Sequence, residues 1–175
     1  TWVEVTTGFV ASQFPNAIFS LASTLTWIAA ENGYIYFTED PVQGVEVQSD
    51  GSVSSEDLLC IHGVDARNLI AGGENGTLLV TDNGGTVCSL ATSVPASLAA
   101  ANITCVLMRT THCWLIGASD GTLWYTTDAG ATWTQITFSV TSPTVVTDIC
   151  FADHADSPFG FMTVKTASAG YLLRS

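Results

Sequence analysis

Four glycines set the frame of this chain. Gly33, Gly76, Gly121 and Gly170 each open a similar short run: Gly33-Tyr-Ile-Tyr-Phe-Thr38, Gly76-Thr-Leu-Leu-Val-Thr81, Gly121-Thr-Leu-Trp-Tyr-Thr126 and Gly170-Tyr-Leu-Leu-Arg-Ser175. They lie 43, 45 and 49 residues apart (33 to 76, 76 to 121, 121 to 170). Around each one the chain repeats the same order. An apolar strand A comes first, at residues 17–22, 58–62, 103–108 and 146–152. Strand B follows at 26–30, 69–73, 114–118 and 161–165 and ends in small residues. The polar turns Glu31-Asn32, Glu74-Asn75 and Ser119-Asp120 lead into the glycine and strand C. Strand D is expected at 45–49, 87–92 and 133–138.

A period near 45 residues with four strands per period is the signature of a propeller blade. The A and B runs are apolar almost throughout, which suits strands covered on both faces by neighbouring sheets. The expected fold class is therefore all-β: a single β-propeller domain over residues 1–175, built of four-stranded antiparallel blades. Its repeats run over 17–49, 58–92, 103–138 and 146–175, the last completed by 1–6. Composition agrees. The chain has 15 Gly, is 47% hydrophobic and only 11% charged, which disfavours helical bundles and disorder. No run approaches 18 uninterrupted apolar residues, so no membrane insertion is expected.

The link between strands C and D carries the most specific motif. In the third repeat it reads Thr126-Thr127-Asp128-Ala129-Gly130-Ala131-Thr132-Trp133. The carboxylate can accept N–H groups within the turn. Gly130 supplies a backbone angle that other residues reach only with strain, and Trp133 anchors the next strand. The second repeat reads Val80-Thr81-Asp82-Asn83-Gly84-Gly85-Thr86-Val87, with Asp82, Gly84 and Thr86 as the expected counterparts and Val in place of Trp. The first, residues 38–44, is degenerate. The motif resembles the Asp-box of the BNR-repeat propellers, and the whole repeat is most similar to propellers of the photosystem II assembly-factor type. On that resemblance the structural residues are Asp82, Gly84, Thr86, Thr126, Asp128, Gly130, Thr132 and Trp133. Sialidases, xyloglucan-active glycosidases and sortilin-like receptors carry such boxes too, so the likeness speaks to fold and leaves function open.

Both ends of the chain fall inside this motif. Ser175 stands where a fourth box begins, and Thr1-Trp2 stand where such a box ends, ahead of a D strand at 2–6. In one reading that strand pairs with the last C strand and closes a four-bladed ring. In the other, the 175 residues are a window on a longer propeller. The chain starts at Thr1 without a charged leader and apolar run, so a processed chain or an excerpt is expected.

Charge excludes some partners. The net charge is −12, and the cations are Lys165, Arg67, Arg109 and Arg174. A basic face for nucleic acid or anionic lipid is missing. A sialidase needs three converging arginines and a Tyr–Glu pair, and no Arg-Ile-Pro motif is present. A glycosidase needs two carboxylates across a cleft. Glu31, Glu74, Asp120, Asp50, Glu56 and Asp57 could form an acidic rim on the side of the B–C turns and D–A loops, although solvated turn residues look the same in sequence. His62, His112 and His154 are expected in A–B connections near Asp65, Asp153 and Asp156, without metal-ligand spacing. Asp128 and the 82–85 turn lack the spaced oxygens of a calcium loop. No metal and no cofactor is expected.

Five cysteines without a CxxC suggest buried thiols; Cys60, Cys105 and Cys150 are each 45 residues apart and read as one repeated packing slot. The D–A loops at 7–15, 93–100 and 139–145 are nearly uncharged and partly apolar, with Phe9 and Phe14 as candidate contacts. The expected role is a non-catalytic, rigid structural or binding module for protein or glycan in a larger protein or assembly. An acidic, Thr/Ser/Gly-rich β protein suits an extracellular, cell-surface or virion setting. The alternatives are a fragment of an Asp-box glycoside hydrolase and an assembly chaperone of the photosystem-factor type; the absence of Arg-rich patches counts against the last.

Overall fold

The computed structural model describes residues 4, 8–40, 42–151 and 159–175. It contains four antiparallel sheets in chain order. Blade 1 is β1 (Pro15–Ala22), β2 (Leu25–Ala30), β3 (Tyr34–Thr38) and β4 (Glu46–Asp50). Blade 2 is β5 (Leu58–Gly63), β6 (Leu69–Gly73), β7 (Leu78–Thr81) and β8 (Ser89–Leu90). Blade 3 is β9 (Ile103–Met108), β10 (Trp114–Ala118), β11 (Leu123–Thr126) and β12 (Thr134–Ile136). Blade 4 has three strands among the described residues: β13 (Val145–Phe151), β14 (Gly160–Lys165) and β15 (Gly170–Arg174). Each strand pairs with the next in sequence, as expected for blades. Of the strand expected at 2–6 only Glu4 is among the described residues. No helix of the described residues is long and apolar enough to cross a membrane.

The sheets stack face to face through their inner strands. β1 packs on β5, β5 on β9 and β9 on β13; no comparable contact joins β13 to β1 among the described residues. One apolar cluster fills each junction. Trp27, Ala29 and Ile35 of blade 1 meet Leu58, Ile61 and Leu79 of blade 2. Ile70 and Leu78 meet Ile103, Val106 and Ile116 of blade 3. Leu107, Leu115 and Leu123 meet Val146, Ile149 and Val164 of blade 4. Strands in the middle of this stack are covered twice. Every residue of β6 and β10 is buried, whereas β15 is exposed at four of its five positions.

Register explains the cysteines. Each A strand has a bulge near its start, and the residue just after it faces the next blade. Cys60 pairs with Gly72 and Cys105 with Gly117 at that position. Their thiols lie 3.5 Å from the Ile103 carbonyl and 3.8 Å from the Val146 carbonyl. Burial pushes the Cys105 thiol up to about 12 and raises Cys60 further. The fourth member is a correction. The slot is held by Asp148, paired with Thr163, while Cys150 pairs with Phe161 and is exposed. The bulge in β13 comes two residues early, so equal spacing in sequence does not give an equivalent place. His62 is a second correction. It lies within β5, not in a connection; its ring packs 4.9 Å from Phe19, and its Nδ1 accepts the Met108 N–H at 3.3 Å.

The glycines opposite these thiols let the sheets close up. A Cβ at Gly117 would stand 2.6 Å from both Cys105 Sγ and Val146 Cγ1. Gly170 has nothing within 4 Å. Gly117→Ala is therefore expected to destabilise the fold by about 1–3 kcal/mol through overpacking. Gly170→Ala should stay within about 0.5 kcal/mol of the parent. Urea unfolding of the two variants checks the contrast; equal costs would contradict this packing.

Candidate binding face

Each blade has two ends, and sequence chemistry differs between them. At one end lie the C–D turns. In the third, Thr126 is 1% exposed and its hydroxyl is the hub. It donates to Asp128 Oδ1 at 2.6 Å and accepts the N–H groups of Asp128 and Gly130 at 3.2 and 3.1 Å. Asp128 also takes the Thr132 N–H at 2.8 Å and the Thr132 hydroxyl at 2.6 Å. The Thr126 hydrogen bond and those from Thr132 lower the Asp128 carboxyl from the ordinary 3.8 to about 2. A lowered folded-state value means the ionised turn contributes stability above about pH 4 and loses it as pH falls through about 2. Trp133 donates from Nε1 to the Ser93 carbonyl at 2.9 Å and packs 6.4 Å from the Trp114 ring.

The second turn repeats this network one residue out of the expected register. Asn83, not Asp82, takes the carboxylate's place: its Oδ1 accepts the Thr81 hydroxyl and the Val87 N–H, both at 2.9 Å. Gly85, not Gly84, donates its N–H to Thr81 Oγ1 at 3.0 Å, and Cys88 stands where Trp133 does. Thr86 accordingly matches Ala131 rather than Thr132. Doubled Asp-Asn and Gly-Gly made the two registers alike in sequence. The first turn keeps only its start, with the Asp40 N–H on Thr38 Oγ1 at 3.1 Å and the Val42 N–H on Asp40 Oδ1 at 2.9 Å.

At the other end, D–A loops cross over B–C turns. Gly33, Gly76 and Gly121 have φ of +74°, +68° and +79°, and a Cβ on them would collide with the carbonyls of Ser54, Leu98 and Pro143. The repeated glycine is thus a crossing point for the loop. Each turn is then pinned to strand starts. The N–H groups of Glu31, Glu74 and Ser119 donate to the carbonyls of Phe14, Asp57 and Asn102 at 3.1, 3.0 and 2.9 Å. Side chains tie one blade to the next: the Asn32 N–H donates to Asp57 Oδ1 at 2.9 Å and the Asn75 N–H to Asn102 Oδ1 at 3.4 Å, while Asn75 Nδ2 donates to Glu56 Oε2 at the start of its own blade at 2.8 Å. Asp57 and Asn102 therefore act as inter-blade links, and Glu56 pins the turn of its own blade.

The candidate contacts separate on this frame. Glu31 and Glu74 occupy the same place in successive turns and are half-buried; Asp120 is exposed one place further along. Asp120 Oδ1 holds the Thr122 N–H at 2.9 Å and its hydroxyl at 2.6 Å. Phe9 is corrected: it is half-buried, edge-on to Tyr36 at 4.9 Å, and belongs to the cluster with Ala30 and Val45. Phe14 is 63% exposed and stands where Asp57 and Asn102 stand in the next blades. His112 is exposed with Thr111 Oγ1 at 2.9 Å, and His154, Asp153 and Asp156 lie outside the described residues. Among the described residues no group of three or more His, Cys, Asp or Glu could hold a metal ion.

A cleft of about 370 Å³ opens between blades 3 and 4, walled by Leu115, Leu123, Ile136, Ile149 and Met162. Among the described residues no Asp or Glu lines it. A second cavity of about 360 Å³ by the first C–D turn gathers Glu39, Asp40 and Glu46, which the sequence reading passed over because that turn is degenerate.

The turn network gives a direct test. Asn83→Ala should cost about 1 kcal/mol, because it leaves the Val87 N–H and the Thr81 hydroxyl without their acceptor. Asp82→Ala, at an exposed side chain, should stay within about 0.5 kcal/mol of the parent. Urea midpoints that ranked the two the other way would restore the register expected from sequence.

No protein-family model and no curated protein matches this sequence. Solved structures do. The computationally designed Ika4 protein aligns with a TM-score of 0.67 at 16% identity, over 99% of this chain and 98% of that one. An ancestral GH74 enzyme aligns at 0.70 and 13% identity, over 96% of this chain and 25% of its own. YCF48 bound to D1 peptide aligns at 0.62 and 15% identity, over 93% of this chain and 55% of its own. At these identities the likeness is one of fold. This chain has the β-propeller fold, and it spans about a quarter of the GH74 chain and about half of the YCF48 chain.

Proposed function

We propose that this propeller is a non-catalytic binding module whose D–A loop face recognises a basic segment of a protein partner. One observation carries the reading. The B–C turns set Glu31, Glu74 and Asp120 in a row, one per blade, on backbone fixed from both sides by the hydrogen bonds just described. A row of carboxylates on a fixed backbone, in a chain of net charge −12, attracts cations and lowers the ordering cost of holding them. The C–D turns at the opposite end, read here as Asp-boxes, serve the fold. A propeller neighbour that binds a peptide, YCF48 with D1, supports a protein partner over a glycan. An extracellular, cell-surface or virion setting belongs to this reading; burial shields the Cys60, Cys88 and Cys105 thiols, while Cys150 is exposed.

The glycoside-hydrolase reading has the GH74 neighbour as its support. It requires an acid and a base across a cleft, and neither cavity described above is lined by Glu31, Glu74 or Asp120.

Titration of a labelled Lys/Arg-rich peptide library by fluorescence anisotropy tests the proposal. Replacing Glu31, Glu74 and Asp120 together by alanine should weaken the best peptide by about tenfold, and added salt should do the same. Binding that ignores both changes would overturn it. Release of reducing ends from xyloglucan or another β-glucan, abolished by the same alanines, would establish the hydrolase instead.

A further inference from the structure

Two of the three junctions between blades are sealed by tryptophan, and the third is not. Between blades 1 and 2 the ring belongs to Trp27, which is 1% exposed and donates from Nε1 to the Gly84 carbonyl at 2.9 Å. The cavity left beside it is about 10 Å³. Between blades 2 and 3 the rings belong to Trp114, Trp124 and Trp133, packed in one cluster. Trp114 and Trp133 donate from Nε1 to the Thr111 and Ser93 carbonyls at 3.1 and 2.9 Å.

Register locates the counterparts of these rings at the third junction. Val106 pairs with Ile116 and Ile116 with Trp124; Ile149 pairs with Met162 and Met162 with Leu173. Leu173 therefore stands where Trp124 stands. One pair further along, Gly160 opposite Phe151 stands where Trp114 stands opposite Met108. Leu115, two residues before Gly117, stands where Trp27 stands, two residues before Ala29. With no indole at any of these places, the cleft of about 370 Å³ between blades 3 and 4 remains.

We propose that this cleft binds a small fused-ring aromatic molecule of the indole class. Its volume lies within the range of small-molecule sites, and its walls are apolar, from Leu123 and Ile136 on one side to Met162 and Leu173 on the other. The Phe151 ring leans over Gly160, its Cζ 2.6 Å from where a Cβ would be. That ring offers a flat surface to a flat ligand, and the Met162 thioether packs well against aromatic rings. Thr137, Ser139 and Ser175 bring the few polar groups with which such a site orients its ligand. A planar ring with one N–H on its edge is what the neighbouring junctions already accommodate three times, at Trp27, Trp114 and Trp133. None of Glu31, Glu74 and Asp120 lines the cleft, so this site and the acidic rim stand or fall separately.

Indole itself is the probe. Titrated into the isotope-labelled protein and followed by amide chemical shifts, it should bind saturably with a dissociation constant below about 1 mM. The largest shifts should fall at Ile136, Met162 and Leu173. Leu173→Trp puts back the ring that blade 3 carries at that place, and should weaken indole binding by about tenfold or more while keeping the far-UV circular dichroism of the parent. If that variant fails to fold, Ile136→Trp, on the outer strand β12, takes its place. Cyclohexanol, which is aliphatic and not planar, should also bind about tenfold more weakly than indole. No saturable binding at about 5 mM indole would overturn the proposal, because the cleft is then filled by other parts of the chain or closed. Binding that Leu173→Trp leaves unchanged would overturn it by placing the ring elsewhere. Equal affinity for cyclohexanol would overturn it by making the cleft an unselective apolar gap.

Discussion

The closest approach between consecutive sheets is the constraint on which this fold rests. A β-sheet has two faces, and an isolated blade can bury neither. Packing the inner strands against one another removes apolar side chains from water, but only if the backbones come near enough to leave no gap. Gly72 against Ile103 and Gly117 against Val146 show how this is achieved: the missing side chain on one sheet receives the branched one on the next. Among the described residues blades 2 and 3 are covered twice, and the sheets at either end once.

The two ends of each blade solve a different problem. Where strands stop, backbone N–H groups need acceptors. At the C–D end a threonine hydroxyl and an Asp or Asn side chain supply them inside a single turn. At the other end the acceptors come from the backbone that precedes each A strand and from side chains one blade away. The first end is self-contained. The second ties blades together and holds loops and carboxylates in place, which is what a recognition surface needs.

Strands β6, β9 and β10 were legible to the residue, because apolar runs covered on both faces stop sharply at Gly or at a polar turn. The D strands were less so: the run expected at 87–92 shrinks to Ser89–Leu90, since an outer strand has one partner and little burial to define it. The one-residue slip at Asn83 came from neighbouring residues that could each serve as acceptor, and only the hydrogen bonds separate them. The slip at Cys150 came from a β13 bulge that a constant period cannot reveal. At the candidate face, Glu31, Glu74 and Asp120 could be placed from turn chemistry alone. The link made by Asp57 could not, because its partner belongs to another blade.

The central claim is that stability is concentrated where sheets are covered on both faces. Native-state hydrogen exchange measures it directly, since amides in doubly covered strands open only with the whole fold. The slowest amides should lie in β6, β9 and β10, with those of β4 and β15 exchanging orders of magnitude faster. Uniform protection across all four blades, or slowest exchange in blade 4, would contradict this account.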